Sequence, residues 1–219
     1  KSFRQLMNDE ISWNNWGSFG INLALGSKLD KTANPKEYMY LPDFVYTGFN
    51  HAKIKKGNIL EDLIKLDRYI LKFDELKIDV ALFNPMFVFS LMLIIGLFIT
   101  YKDLKHQRRT KWLDFILFFS TGLIGILIVF LWFFTNHSTT PTNFNFLWAF
   151  APNFIIAFIL LKTQQKKWVK KYITFLVILL GLIPVVWLSS FQQLPLASIP
   201  VLILLIVRYI SIRKLLTFH

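Results

Sequence analysis

The sequence contains no cysteine, so this chain forms no disulfide and offers no thiolate metal ligand or cysteine nucleophile. Acidic residues are nearly absent from its second part, where only Asp103 and Asp114 follow residue 80. The 9 glycines include no phosphate-binding loop, and the 4 histidines follow no metal-binding pattern. We therefore expect neither a metal nor a cofactor.

Hydrophobic residues, by contrast, are abundant. They make up 54% of the 219 residues, more than the share of about 45–50% that is usual in soluble domains. Charged residues make up only 17%. This composition excludes a disordered chain and a single-stranded nucleic-acid-binding chain.

The net charge of +12 lies almost entirely in the hydrophobic part of the chain. Residues 1–80 carry twelve Lys and Arg against eleven Asp and Glu, whereas residues 81–219 carry thirteen cations against two acids. Those thirteen cations lie in three groups, within 101–112, 162–171 and 208–214. Because the excess charge belongs to apolar sequence, we expect no nucleic-acid partner and instead expect contact with membrane lipids.

Long apolar stretches without any charged side chain separate these cationic groups. A helix needs about 20 residues to cross a hydrocarbon core of about 30 Å. The pattern predicts an all-α membrane protein in which a small, mainly helical exported segment, residues 1–80, precedes a five-helix transmembrane domain, residues 81–219. The five predicted transmembrane helices span approximately 82–101, 114–134, 144–161, 172–190 and 193–212.

The loops predict the orientation, because Lys and Arg of short loops stay on the cytoplasmic side. The first loop, the third loop and the C-terminal tail hold all thirteen cations, and the second and fourth loops hold none. We therefore expect a multi-pass protein of the bacterial inner membrane with a periplasmic N-terminal region and a cytoplasmic C-terminus. Residues 1–10 are polar and unlike a signal peptide, so we expect the export signal upstream of this chain.

Several local features carry predictions of their own. A helix is expected to begin at Asn34-Pro35 and another to run from Pro42 to Asn50, followed by a short hairpin closed near Gly57 and a charged helix or linker over 63–80. Asp114 is expected to form an interfacial ion pair with Lys111. Pro152, Pro184 and Pro200 are each expected to kink a span. Gly122 and Gly125 are expected to allow close helix packing.

The most polar cluster among the predicted spans is the uncharged loop 135–145. Its candidate site residues are His137, Asn136, Asn143 and Asn145, framed by Trp132 and Trp148. Two functions fit these side chains: binding of lipid headgroups and docking of the exported segment. An ordinary loop with interfacial aromatic residues is the alternative, since Trp favours membrane interfaces in any case.

Two groups of residues resemble the Lnb-type lipoprotein N-acylation transferases. The first comprises Phe3-Arg4-Gln5-Leu6, Trp13, 20–26, Asn34-Pro35-Lys36-Glu37, Met39 and Leu41-Pro42-Asp43, and it is similar to the end of the family's periplasmic domain. The second comprises 131–137, Asn143, Asn145, Leu147, Trp148 and Pro152, and it is similar to the loop between the second and third membrane helices.

The resemblance implies a periplasmic domain followed by five membrane helices, and transfer of an acyl chain from a membrane lipid to the N-terminal amine of a lipoprotein. It also implies a catalytic cysteine and histidine in an earlier part of the periplasmic domain, which would lie before Lys1. No catalytic residue is therefore assigned here, and lipoprotein substrates are expected only through that upstream domain. The alternatives are a non-catalytic membrane anchor or assembly protein and a small transporter subunit.

Overall fold

The computed structural model of the protein describes residues 1–11, 13–71 and 82–218, with the backbone alone at 217 and 218. Part of the predicted helix or linker over 63–80, the boundary at residue 80 and His219 lie outside these ranges. Within them the helices are α1 Phe3–Glu10, α2 Trp16–Ala24, α3 Pro42–His51, α4 Pro85–His106, α5 Lys111–Phe133, α6 Asn153–Leu160, α7 Lys167–Leu188 and α8 Ile199–Leu215. The strands are β1 Lys53–Lys56, β2 Ile59–Asp62, β3 Gln164–Gln165 and β4 Thr217–Phe218.

Four helices of the described chain are long and apolar enough to cross a membrane. They are α4, α5, α7 and the helical run Leu196–Leu215, which joins a 3-10 turn to α8. Their outer faces leave large apolar side chains exposed, as at Ile94, Phe98 and Ile178. The protein is therefore a mainly helical, multi-pass membrane protein.

The third predicted span is not one continuous helix. A 3-10 turn, Phe144–Leu147, is followed by irregular backbone and then by α6. The eight residues of α6 rise only about 12 Å, less than half of a hydrocarbon core of about 30 Å. The absence of charged residues from this stretch gave no sign of the break, because hydropathy does not report where the backbone leaves helical geometry.

Two glycines of α5 allow α6 and the chain before it to approach closely, as predicted. A Cβ at Gly122 would collide with the backbone nitrogen of Phe154, and one at Gly125 would collide with the carbonyl oxygen of Ala149. Next to this contact, the amide of Asn153 donates to Thr121 Oγ1 at 3.1 Å and accepts from the hydroxyl of Tyr172 at 2.5 Å. The broken span is thus held by backbone contact and by buried polar groups.

We expect Gly122→Leu to destabilise the bundle by about 1–3 kcal/mol, since its side chain meets backbone atoms that cannot rotate away. Thermal unfolding in detergent measures the loss. Gly181→Leu in α7 is the matched control, because nothing lies within 4 Å of a Cβ there. Equal melting temperatures for the two variants would contradict the close packing.

Only one of the three prolines expected to kink spans lies in the interior of a helix, namely Pro184 in α7. Pro152 immediately precedes α6, and Pro200 is the second residue of α8. The expectation is wrong for these two because the first residues of a helix donate no intrahelical hydrogen bond that proline would remove.

The N-terminal segment, residues 1–71, contains short elements. Its predicted helix after Pro42 and its predicted hairpin are both present, as α3 and as β1 paired antiparallel with β2. The predicted helix start at Asn34 is instead a turn, in which the Asn34 side chain accepts from the backbone of Lys36 and Glu37 ahead of the 3-10 turn Glu37–Tyr40. The hydroxyl of Tyr46 donates to Asp67, which raises the pKa of Tyr46 to about 12.

Candidate functional site

The N-terminal segment is organised by a buried arginine. The guanidinium of Arg4 is fully buried and forms an ion pair with Asp30 at 3.0 Å. It also donates to the side-chain oxygen of Asn22 at 2.8 Å and to the carbonyl oxygens of Leu25 and Gly26 at 3.1 and 2.9 Å. Arg4 therefore fixes the end of α2 and the turn after it, residues 22–26, which we call the carbonyl turn.

Two asparagines of the loop 135–145 bind the carbonyl turn. Asn143 donates to the carbonyl oxygens of Leu23 and Ala24 at 2.8 and 3.1 Å. Asn145 donates to that of Leu23 at 3.2 Å and to Asn143 Oδ1 at 3.0 Å. Both asparagines are buried. Since these carbonyls end a helix and lack intrahelical partners, the asparagine amides serve as their hydrogen-bond donors.

A third amide comes from the loop between α7 and α8. Gln192 is fully buried, donates to Leu25 O at 3.3 Å and to Asn143 Oδ1 at 3.1 Å, and accepts from the backbone nitrogen of Phe144 at 2.8 Å. The sequence did not point to Gln192, because a glutamine in a short loop gives no signal of its hydrogen-bond partners. We call the end of the bundle that carries these contacts the docking end.

The six predicted site residues divide into two groups. Asn143, Asn145 and Trp148 come together, with Trp148 buried and its indole nitrogen donating to Asn145 Oδ1 at 3.0 Å. Asn136 and His137 are exposed and away from that network, and Trp132 is half-buried and stacked on the ring of Phe133. The geometry favours docking for the first group, and headgroup binding remains a hypothesis for the second.

A cleft of about 320 Å³, lined by both polar and apolar side chains, lies beside this interface. Its lining includes Arg4, Asn22, Gln193 and Trp187 of α7. Trp187 also lines an apolar groove of about 300 Å³ between α7 and α8, whose other walls include Ile183 and Ile203. The cleft and the apolar groove therefore adjoin each other at Trp187.

A buried ionic cluster lies at the opposite end of the bundle, where the cations gather; we call it the cationic end. Arg208 of α8 donates to Asp114 Oδ1 at 2.6 Å and to Asp103 Oδ2 at 2.7 Å. Arg109 donates to Asp114 Oδ2 at 3.0 Å and to the carbonyl oxygen of Leu160 at 2.8 Å. Two carboxylates and two guanidiniums thus join α4, α5, α6 and α8 without excess charge.

The prediction that Asp114 forms an ion pair with Lys111 is wrong. Asp114 binds Arg109 and Arg208, whereas Lys111 donates to Thr163 Oγ1 at 2.7 Å. Asp114 is fully buried, and arginine suits a buried carboxylate better because its guanidinium is less strongly hydrated than an ammonium group. Burial also lowers the pKa of Arg109 in the loop between α4 and α5, while Asp114 opposes that shift.

Docking can be tested with an introduced disulfide, because the chain has no cysteine of its own. Ser27 and Thr142 lie on opposite sides of the interface, with their hydroxyl oxygens 2.9 Å apart. We expect Ser27→Cys with Thr142→Cys to cross-link on mild oxidation, as a mobility shift that reductant reverses. The control pair, Ser27→Cys with Ser138→Cys, places the second thiol at an exposed position of the same loop and should cross-link less. Equal yields would contradict the interface.

Comparison with protein families gives one match, over residues 77–218, to a model described as the Lnb transmembrane domain. Comparison with curated proteins and with solved structures gives no match. The matched region includes α4 to α8, both loops of the docking end and the ionic cluster.

Proposed function

The chain belongs to the Lnb family through its transmembrane domain, and on this basis we propose that it forms the membrane-anchoring portion of a bacterial lipoprotein N-acyltransferase-like protein. In that reaction an acyl chain passes from a membrane lipid to the N-terminal amine of a lipoprotein. This chain has no cysteine, so it supplies the anchor and no thiol nucleophile. The match to residues 77–218 is the observation that carries the proposal.

We further propose that residues 144–161 form a fifth crossing of the membrane. The two ends of this segment are bonded at opposite ends of the bundle: Asn145 contacts the carbonyl turn at the docking end, and Leu160 accepts from Arg109 at the cationic end. Irregular backbone within a membrane is tolerated where protein buries it, and Trp148 and Ala149 are buried. These contacts support five spans although only four of them contain a long continuous helix.

The proposed orientation places the cationic end in the cytoplasm of an inner-membrane protein and the N-terminal segment in the periplasm. The thirteen cations of residues 81–219 lie in the loops and helix ends of that single end, which supports it through the positive-inside rule. The docking end then lies at the outer surface of the bilayer. There the apolar groove lined by Trp187 adjoins the cleft beside the N-terminal segment.

The function is tested by deleting the encoding gene and measuring the N-termini of lipoproteins by mass spectrometry. We expect the N-acyl chain to disappear, and we expect residues 1–219 expressed alone not to restore it. Unchanged N-acylation after deletion would favour a non-catalytic anchor or assembly protein. Restoration by residues 1–219 alone would contradict the anchoring role.

The headgroup hypothesis for the exposed part of the loop has a separate test. We expect His137→Ala in the intact gene product to reduce lipoprotein N-acylation severalfold, since its imidazole is exposed in the loop that follows α5. The same mass-spectrometric assay measures the change. Ser138→Ala is the matched control in the neighbouring exposed position, and activity unchanged by His137→Ala would remove His137 from the site.

A further inference from the structure

The longest uncharged run of the N-terminal segment coincides with α2. Residues 11–27 contain no charged side chain, and Glu10 and Lys28 bound this run on either side. The helix α2, Trp16–Ala24, occupies the middle of it. Within the N-terminal segment, α2 is therefore the element whose sequence most resembles that of the membrane helices.

The burial of α2 is the reverse of that of a helix at a water-exposed surface. Its two polar side chains, Ser18 and Asn22, are buried, whereas Trp16 and Ile21 are 48% and 40% exposed. Asn22 accepts from Arg4 of α1 at 2.8 Å, so the polar side of α2 faces the N-terminal segment itself. A helix at a protein surface in water normally exposes its polar side. The exposed side of α2 is therefore suited to an apolar environment.

One turn of α2 packs against the beginning of α4. The ring of Phe89 lies 5.0 Å from that of Phe19 and 5.6 Å from that of Trp16. The indole nitrogen of Trp16 donates to the carbonyl oxygen of Phe83 at 2.8 Å. The Trp16 ring therefore lies level with the first turns of α4. Because its polar atom is already paired within the protein, the exposed part of the ring can contact lipid.

The beginning of α4 lies at the boundary of the hydrocarbon core. Lys102, the first cation of α4, follows Pro85 by 17 residues, which is about 26 Å of helix. Since the core is about 30 Å thick, it extends to Pro85 at the docking end. Phe87 and Ile94, seven residues apart, share one face of α4, and both are exposed. The lipid-facing surface of α4 thus continues to the level of Trp16.

The helical periodicity identifies the side of α2 that is left for lipid. Asn22 faces α1 and Phe19 faces α4, whereas Trp16 and Gly20 lie one turn apart on a third side. No atom of the described chain lies within 4 Å of a Cβ placed on Gly20. This third side is therefore open along a full turn of the helix.

We propose that α2 is an interfacial helix, which lies at the headgroup boundary of the leaflet at the docking end and presents Trp16 and Gly20 to phospholipid. Interfacial helices are buried by about 5–10 Å, and Phe89 lies about 6 Å along α4 from Pro85. Tryptophan is also enriched at this boundary. Lipid is the occupant because the surface continues the lipid-facing surface of α4. The N-terminal segment is thereby joined to the bilayer as well as to the bundle.

The depth of α2 is measured with spin labels, since the chain has no cysteine of its own. A nitroxide is attached to Gly20→Cys in the full chain in phosphatidylcholine nanodiscs, and its collision rates with oxygen and with a water-soluble nickel chelate are recorded. Oxygen is apolar and concentrates among acyl chains, whereas the chelate stays in water. We expect the oxygen-to-nickel ratio at Gly20→Cys to be severalfold higher than at Lys55→Cys, an exposed position of β1. It should be lower than at Ile94→Cys, an exposed position within α4.

Two results would overturn the proposal. A ratio at Gly20→Cys equal to that at Lys55→Cys would place α2 in water. Low collision rates with both reagents would place protein against this side of α2, either a second copy or another part of the chain. Ile21→Cys, the neighbouring exposed position, keeps the test valid where Gly20→Cys does not fold, and its ratio should also exceed that of Lys55→Cys.

Discussion

Arg208→Met is expected to lower the free energy of unfolding of the helix bundle by about 3–5 kcal/mol. The change leaves two buried carboxylates, Asp103 and Asp114, without their shared guanidinium. Arg208 also donates to Thr100 Oγ1 at 3.2 Å and to the carbonyl oxygen of Thr110 at 3.1 Å, and those acceptors lose a donor as well. The packing of α8 against α4, α5 and the loop between them should therefore weaken.

The loss is measured by thermal unfolding in detergent, where the melting temperature should fall by on the order of 10 °C. The melting temperature of Arg208→Lys should lie between those of the wild type and Arg208→Met. An ammonium group lacks the planar set of donors with which the guanidinium binds two carboxylates and a carbonyl at once. Lys214→Met, an exposed cation of the same helix end, is the matched control and should change little. Similar melting temperatures for Arg208→Met and Lys214→Met would contradict a structural role for the cluster.

Arg4→Met is expected to detach the N-terminal segment from the bundle while leaving the bundle folded. It removes the partner of Asp30 and the donor that holds the carbonyl turn, so the surface bound by Asn143 and Gln192 is no longer fixed. Breaking one side of a buried pair costs about 3–5 kcal/mol. This cost weakens the docking interface and leaves the bundle stable, because the contacts of Arg4 lie within residues 22–30 of the N-terminal segment.

Limited proteolysis of the purified protein measures this release, with cleavage expected near the carbonyl turn in the variant and protection in the wild type. The melting temperature of the bundle should change much less than for Arg208→Met. Lys1→Met is the control: it breaks the exposed pair between Lys1 and Asp9, and exposed pairs contribute about 0–1 kcal/mol. Protection of the carbonyl turn in Arg4→Met would show that docking does not depend on this arginine.

The sequence was sufficient to locate the long membrane helices and the end at which cations gather. Charge-free apolar runs and clustered Lys and Arg have direct physical causes in the bilayer, so their pattern can be read residue by residue. The break before α6 could not be read in this way. The break depends on close packing of backbone atoms against Gly122 and Gly125 and on the hydrogen bond from Asn153 to Thr121. These are contacts between distant parts of the chain.

The partners of charged and amide groups were harder to predict than their positions. Lys111 precedes Asp114 by one helical turn, yet the ion pairs of Asp114 are with Arg109 and the distant Arg208. Likewise, the sequence singled out Asn143 and Asn145, but their acceptors are backbone carbonyls. A carbonyl acceptor leaves no trace in residue identity, so the docking interface is visible only once the chain is folded.

The long separations within the ionic cluster have a consequence for how the chain is assembled during synthesis. Asp114 is made 94 residues before Arg208, a delay of about 5–20 s at ribosomal rates of about 5–20 residues per second. Arg109, which pairs with Asp114 in the folded protein, is only five residues away and is made before it, so a partner is available throughout that interval. We infer a succession in which a local arginine keeps the carboxylate paired in the nascent protein, and the last helix completes the cluster when it arrives.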